Sequence, residues 1–298
     1  LLSVGKEHLY VWEKQEGILH ENEAAEILYR ISADIHMHGS DIKEGKIELI
    51  ADCDGVLKIR RDALLAVNSL GEMMIASRHG DFPVKKGDKI AGTRIIPLVI
   101  EKSKMDKAEK VAGTKPIFSI LPYRSKKVGI ITTGSEVQKG LIKDTFTPVL
   151  KEKLDEFSCQ ILGQTLPGDE RSQITSDILS FIDQGADMVI CSGGMSVDPD
   201  DRTPGAIKDT GAEIVTYGAP VLPGAMLLLS YYQNNDKIIP ILGLPGCVMY
   251  ARRTVFDLIL PRIMADDRIC ADEIASYGEG GLCLNCDVCT FPNCGFGK

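Results

Sequence analysis

A short apolar run, Met188 to Cys191, empties directly into Ser192, Gly193 and Gly194 and then into Asp198, Asp200 and Asp201. Four apolar residues bounded at once by turn residues fit a strand buried on both faces, as in a parallel sheet covered by helices. In an open α/β sheet, ligands lie at the carboxyl ends of the strands, where glycines let the backbone come close to a bulky or anionic group. Three clustered aspartates repel one another unless they are solvated or hold a cation, and a hard divalent ion with oxygen ligands suits them. The bland alternative is a solvated acidic turn. Thr203 followed by Pro204 predicts a helix N-cap and first helical residue.

The same grammar recurs on both sides of this stretch. Val128 to Thr132 predicts a second buried strand, ending in TTGSE with Glu136. Phe146, Leu150, Leu154 and Phe157 mark a helix, and Ile161 and Leu162 a strand. Gly168 and Asp169 open another helix, buried along Ile174, Ile178 and Phe181, with Asp169 its expected N-cap. Strands are expected at 213–217, 226–230 and 237–242, and a last helix over about 248–264. The turns TTGSE, SGGMSVDPDD and LPGC can converge on one crevice if the sheet is parallel.

The first part of the chain has a different texture. Ala24, Leu28 and Ile31 predict an amphipathic helix. From Lys46 to Ile100 short β-rich runs alternate with turns, and Asp54-Gly55 between KIELIA and VLKIR predicts a hairpin. His36 and His38 form a weak candidate metal pair, more simply read as surface residues. The charged segment 101–115 and the prolines after it mark a boundary. The expected organisation is a helix plus β-rich domain over 1–120, an α/β domain over 126–268 and a cysteine-rich tail over 278–298.

Bulk properties narrow the function classes. The 298 residues carry a net charge of −8, which argues against non-specific nucleic-acid binding. No apolar run reaches the roughly 18 residues of a membrane span, and no signal peptide is visible, so a cytoplasmic protein is expected. The chain opens on Leu1 rather than methionine, as a fragment or trimmed chain would. Five cysteines (Cys53, Cys159, Cys191, Cys247, Cys270) sit singly in apolar surroundings and are expected to be reduced core residues.

Taken in order, TTGSE (132–136), GLIKDTF (140–146), PGDE (167–170), SGGMSV and DRTP (192–204), PG (223–224) and LPG (244–246) carry a resemblance. Lys127 to about Asp267 resembles the molybdopterin-binding domain shared by molybdenumtransferases of the MoeA and gephyrin type and adenylyltransferases of the MogA type. The resemblance implies a three-layer α/β/α sandwich with a mostly parallel sheet, and a homo-oligomer, dimer or trimer. It implies that Glu136, Asp201 and Asp169 are catalytic, with Asp201 and Glu136 holding Mg2+. Thr133, Gly134, Ser135, Ser192, Gly193, Gly194, Ser196, Asp198, Thr203, Pro223, Gly224, Pro245 and Gly246 would bind the pterin and its phosphate.

The implied reaction is Mg2+-assisted: adenylylated molybdopterin is hydrolysed as molybdate enters the dithiolene. A binding or maturation factor for a molybdoenzyme, and an adenylyltransferase, are the alternatives. The chain departs from the pattern at Ala225-Met226, where the family has PGKP, at Cys247 in place of asparagine after LPG, and at Phe146.

The tail stands apart. Cys283, Cys286, Cys289 and Cys294 follow C-x2-C-x2-C-x4-C, the closeness that thiolates on a metal need without help from helix or sheet. An iron–sulfur cluster and Zn2+ are the candidate occupants; disulfides or free thiols are the alternative.

Overall fold

A computed structural model describes residues 15–196 and 201–298; Asp198 and Asp200 lie outside the described residues. The chain divides after Ile120 into two compact units.

The first unit opens with strand β1 (Ile18–His20) and helix α1 (Glu21–Ser32), followed by β2 (Met37–Gly39), β3 (Ile47–Ala51) and β4 (Gly55–Ile59). Then come α2 (Arg61–Asn68), β5 (Met73–Ser77), β6 (Phe82–Val84), β7 (Lys89–Ile95), β8 (Val99–Glu101), α3 (Lys102–Ala112) and β9 (Phe118–Pro122). α1 buries Ala24, Ala25, Leu28 and Ile31, the predicted stripe. Its N-cap is His20: Nδ1 accepts from Asn22 N at 3.3 Å, while Glu23 accepts from His20 N at 3.0 Å, closing a capping box. His38 instead pairs with Asp52 at 2.6 Å.

The Asp54-Gly55 hairpin does not form. β3 lies in the antiparallel sheet β2-β3-β7-β5, whereas β4 lies in the sheet β6-β4-β9. The cause is a turn far along the chain: Asp54 Oδ1 accepts from Lys86 N at 2.8 Å, and Ala51 exchanges backbone bonds with Gly87 and Asp88. Asp54 therefore braces a distant turn rather than closing its own.

The second unit is α/β. Its strands are β10 (Lys127–Thr133), β11 (Gln160–Gly168), β12 (Met188–Ser192), β13 (Glu213–Tyr217), β14 (Leu228–Asn234) and β15 (Lys237–Leu244). Its helices are α4 (Ser135–Gln138), α5 (Phe146–Asp155), α6 (Arg171–Asp183), α7 (Thr203–Asp209), α8 (Val255–Met264) and α9 (Ala271–Ser276). One six-stranded sheet has the order β11-β10-β12-β15-β14-β13. β11, β10, β12 and β15 run parallel; β14 returns antiparallel to β15, and the edge strand β13, antiparallel to β14, runs with the parallel set again.

Period-two alternation sorts the strand residues onto two apolar faces. Ile131, Val189, Cys191, Ile239 and Ile241 share one core with Ile174, Ile178, Phe181 and Ile207 of α6 and α7. Val128, Ile130, Ile190 and Leu242 are equally buried and point the other way, toward the layer of α5. That helix is tied to the wholly buried α8 by the ion pair Lys153–Asp257, at 2.6 Å. The expected α/β sandwich is therefore present. The last helix is shorter than expected: a 3-10 turn occupies Gly246–Met249, and α8 begins only at Val255, where Thr254 and Asp257 form a capping box. β14 likewise starts at Leu228, two residues late. Cys191 is buried and Cys53, Cys159 and Cys247 partly so, but Cys270 is exposed, because it precedes the surface helix α9 as its N-cap.

Among the described residues no helix is long and apolar enough to cross a membrane.

Close approach of α6 to β10 depends on Gly129, where a Cβ would lie 2.4 Å from Phe181 Cγ, at the root of a buried ring. Gly129→Ala is expected to destabilise the unit by about 1–3 kcal/mol. A lower denaturant midpoint with an unchanged slope would show it.

Candidate functional site

Register decides which loops meet. Thr133 pairs with Gly168, Thr132 with Ser192, and Ser192 with Leu244. The carboxyl ends of four parallel strands are thus level. The loops leaving them carry Gly134 to Glu136, Asp169, Gly193 to Ser196, and Pro245 to Cys247. The Pro223-Gly224 turn joins the same edge from the antiparallel side, since Leu228, at the start of β14, pairs with Gly243 near the end of β15.

At the centre of this edge, buried hydroxyls tie the turns together. Thr133 Oγ1 donates to Ser192 O at 3.2 Å and lies 3.2 Å from Thr203 Oγ1, which donates to Gly193 O at 2.9 Å. Thr133, Ser192 and Thr203 are all buried. Gly193 has φ +84°, and a Cβ there would stand 2.6 Å from Thr133 O. Glycine is therefore required by the closeness of two strand ends as well as by its backbone angle. Met195 turns inward beside Gly243, and Tyr217 Oη reaches Met195 O at 3.2 Å and Ser196 O at 3.3 Å. Burial, and then the charge of Asp201, push the Tyr217 phenol above its usual value, so it stays a neutral donor.

Two caps differ from the sequence expectation. Thr203 is the first residue of α7, and Arg202 is the N-cap without a side-chain bond; the Thr203 hydroxyl is committed to Gly193. Asp169 is not the cap of α6, which begins after Glu170. Its carboxylate accepts from Ser135 N at 2.9 Å and from Ser135 Oγ at 2.5 Å. Asp169 thus positions the TTGSE turn, whose last residue, Glu136, is exposed in the first turn of α4.

Asp201 is the most suggestive acid. Its Oδ2 is buried and has no hydrogen-bond partner among the described residues, an arrangement that costs free energy unless a ligand completes it. Carboxylate oxygen is the donor type that suits Mg2+. Among the described residues, no three His, Cys, Asp or Glu side chains gather closely enough to hold a metal by themselves.

A second polar knot escaped sequence reasoning. Gln164 Nε2 lies 2.7 Å from Asp144 Oδ2, 2.7 Å from Thr147 Oγ1 and 3.0 Å from Thr132 Oγ1. Asp144 also accepts from Phe146 N and Thr147 N, at 2.9 and 3.1 Å, so it anchors the start of α5. Only GLIKDTF hinted at it; nothing local marks Gln164. Phe146, a departure from the family pattern, is buried in α5, and Cys247 is half-buried in the 3-10 turn, where burial pushes its thiol up and keeps it neutral.

A cavity of about 530 Å³ opens at the opposite, amino-terminal end of the sheet, beside Lys126, Asp187 and Lys237. Lys126 pairs with Asp266, and Lys237 with Asp187, so its charges are largely offset within the protein.

Residues 129–265 match the family model described as a probable molybdopterin binding domain. The molybdopterin molybdenumtransferase of Haemophilus influenzae is 27% identical over 236 residues, 76% of this chain and 54% of that protein. The molybdopterin molybdenumtransferase of Synechococcus elongatus is 25% identical over 62% of this chain and 44% of that one. The chain thus spans about half the length of these curated relatives. A CinA-like protein of Mycolicibacterium gilvum is 37% identical over 79 residues, 26% of this chain and 19% of that protein. Among solved structures, the tungsten cofactor synthesizing protein MoaB of Pyrococcus furiosus aligns with a TM-score of 0.41 at 17% identity, over 49% of this chain and 99% of that one.

Burial pushes Asp144 up, but the hydrogen bonds from Thr147, Gln164 and Phe146 outweigh it and hold the carboxyl below its ordinary 3.8. A depressed folded value means the contribution to stability is present above the unfolded value and lost as pH falls through the folded one. Asp144→Asn is therefore expected to lower the urea midpoint at pH 7, with the gap to wild type closing on acidification below about pH 4. Paired denaturation curves across that range test it.

Proposed function

We propose that this chain, whose residues 129–265 belong to the molybdopterin-binding domain family, seats molybdopterin or its adenylylated form at the level carboxyl edge of β11, β10, β12 and β15. We further propose that it inserts molybdate there with Mg2+. The buried Asp201 oxygen, without a hydrogen-bond partner among the described residues, carries this proposal. It is supported by the likeness to two molybdopterin molybdenumtransferases.

The roles follow from placement. Gly193, Gly194 and Ser196 would face the phosphate and pterin with backbone amides and a hydroxyl, an arrangement suited to an anion. Thr133, Ser192 and Thr203 hold that turn in shape through their buried bonds. Gly134 and Ser135 form the facing turn, with Asp169 fixing it. Pro223-Gly224 and Pro245-Gly246 close the remaining sides. Asp201 and Glu136 would hold Mg2+, which when bound offsets charge on the phosphate. Glu136, exposed at the end of the braced turn, would reach that ion from the facing side. The family likeness further implies a cytoplasmic homo-oligomer that delivers its product to a molybdoenzyme.

A second reading, retention of the pterin without turnover, is favoured by Ala225-Met226, where the family's lysine would supply a cation for the substrate. The two separate in one experiment. Wild-type protein given adenylylated molybdopterin, molybdate and Mg2+ is expected to release AMP. Asp201→Ala is expected to release it roughly 100-fold more slowly or not at all, with an unchanged circular dichroism spectrum and melting temperature. Tight pterin binding without AMP release would instead establish the binding factor.

A further inference from the structure

We infer that Cys283, Cys286, Cys289 and Cys294 form a tetrathiolate site for a thiophilic metal, independent of the molybdopterin reading. All four line one cavity of about 230 Å³, together with Arg252, Arg253, Phe291 and Phe296. None is in a disulfide.

The first line of argument is what the tail lacks. From Cys283 to Lys298 there is neither helix nor strand, and Leu284 and Val288 are 78% and 76% exposed. A segment of this kind buries too little apolar surface to offset its ordering entropy, and small loop-rich modules meet that deficit with a disulfide or a metal. With four thiols around one cavity and no bridge between them, a metal is the staple that fits. Thiolate sulfur selects zinc or iron–sulfur chemistry over hard cations.

The second is how firmly the rim is held. Leu222 N donates to Gly281 O, and Cys283 N to Leu222 O, each at 2.8 Å, pinning the tail's start to the residue before Pro223-Gly224. Gly297 N closes back on Gly280 O at 2.9 Å. Arg252 Nη1 donates to Asp287 O at 2.7 Å, midway between Cys286 and Cys289, and the Arg253 guanidinium stands 5.0 Å over the Phe291 ring. The loop is thus anchored at both ends and the middle around the four thiols, and Arg253 also contacts that of Cys289.

The third is charge. Four thiolates on a divalent ion carry a formal charge of −2; Arg252 lines the cavity to oppose it, beside Arg253, whose guanidinium is shared with Asp257 at 2.8 Å. The thiols are not gathered at coordination spacing among the described residues, so metal binding draws segment 283–294 inward.

The test uses the full chain under reductant. Co2+ titration of the metal-free protein is expected to give thiolate charge-transfer and tetrahedral ligand-field absorption, saturating at one equivalent and bleached by Zn2+. In a parallel arm, anaerobic purification followed by iron and acid-labile sulfide analysis identifies a cluster in place of zinc. Cys286→Ser and Cys289→Ser are expected to weaken binding at least about tenfold, while Cys270→Ser, exposed and outside the cavity, binds as wild type. Metal binding should also slow amide exchange over 283–294. Failure of both arms to find stoichiometric metal, binding unchanged in Cys289→Ser, or disulfides among these cysteines in freshly purified protein would each overturn the proposal.

Discussion

The α/β unit depends on the level register of its parallel strands, locked where β10 and β12 end by the hydroxyls of Thr133 and Thr203. A sheet whose strands ended at different heights would scatter the TTGSE, SGGM and LPGC turns over separate surfaces. Here Thr132 sits beside Ser192 and Ser192 beside Leu244. The carbonyl of Gly193 is drawn down onto Thr203, the first residue of the next helix. Gly193 is the cost-free way to bring Thr133 O so near, since any side chain would collide with it. The same bonds that finish the core therefore shape the candidate site, and stability and function are coupled at these residues.

Polar groups behind the edge divide between supporting and reacting roles. Asp169 and Asp144 accept hydrogen bonds and hold turns; Asp201 has a buried oxygen without a partner among the described residues. Buried polar atoms in native proteins are nearly always satisfied, so a buried carboxylate oxygen at the strand-end crevice is a candidate ligand position. At the other end of the sheet the charged groups around the large cavity are paired with each other, which leaves less to offer an anionic ligand.

Sequence legibility followed locality. Strand β12, the stripe of α6 and the glycine turns were readable because each depends on residues near in sequence: an apolar run, a helical period, a turn residue. The parallel register was implied only by the order of elements, yet it positions the site. What could not be read was set by partners far along the chain. Asp54 was claimed by Lys86 N rather than by its own turn, Asp169 by Ser135 rather than by α6, and Gln164 by Asp144 and Thr147. A carboxylate before a helix is an N-cap by local rules, and a stronger tertiary donor overrides those rules. The cysteine spacing was plain in the sequence; that two arginines face the thiols was not.

The central claim is that the glycine turns at the carboxyl edge, and no other part of the α/β unit, receive the pterin. Amide hydrogen exchange of the full chain with and without molybdopterin tests it most directly. Slower exchange concentrated in 134–138 and 193–196 is the outcome the account predicts. Bound pterin that leaves those amides unchanged, or protects the opposite rim around Lys126, Asp187 and Lys237 instead, would contradict it.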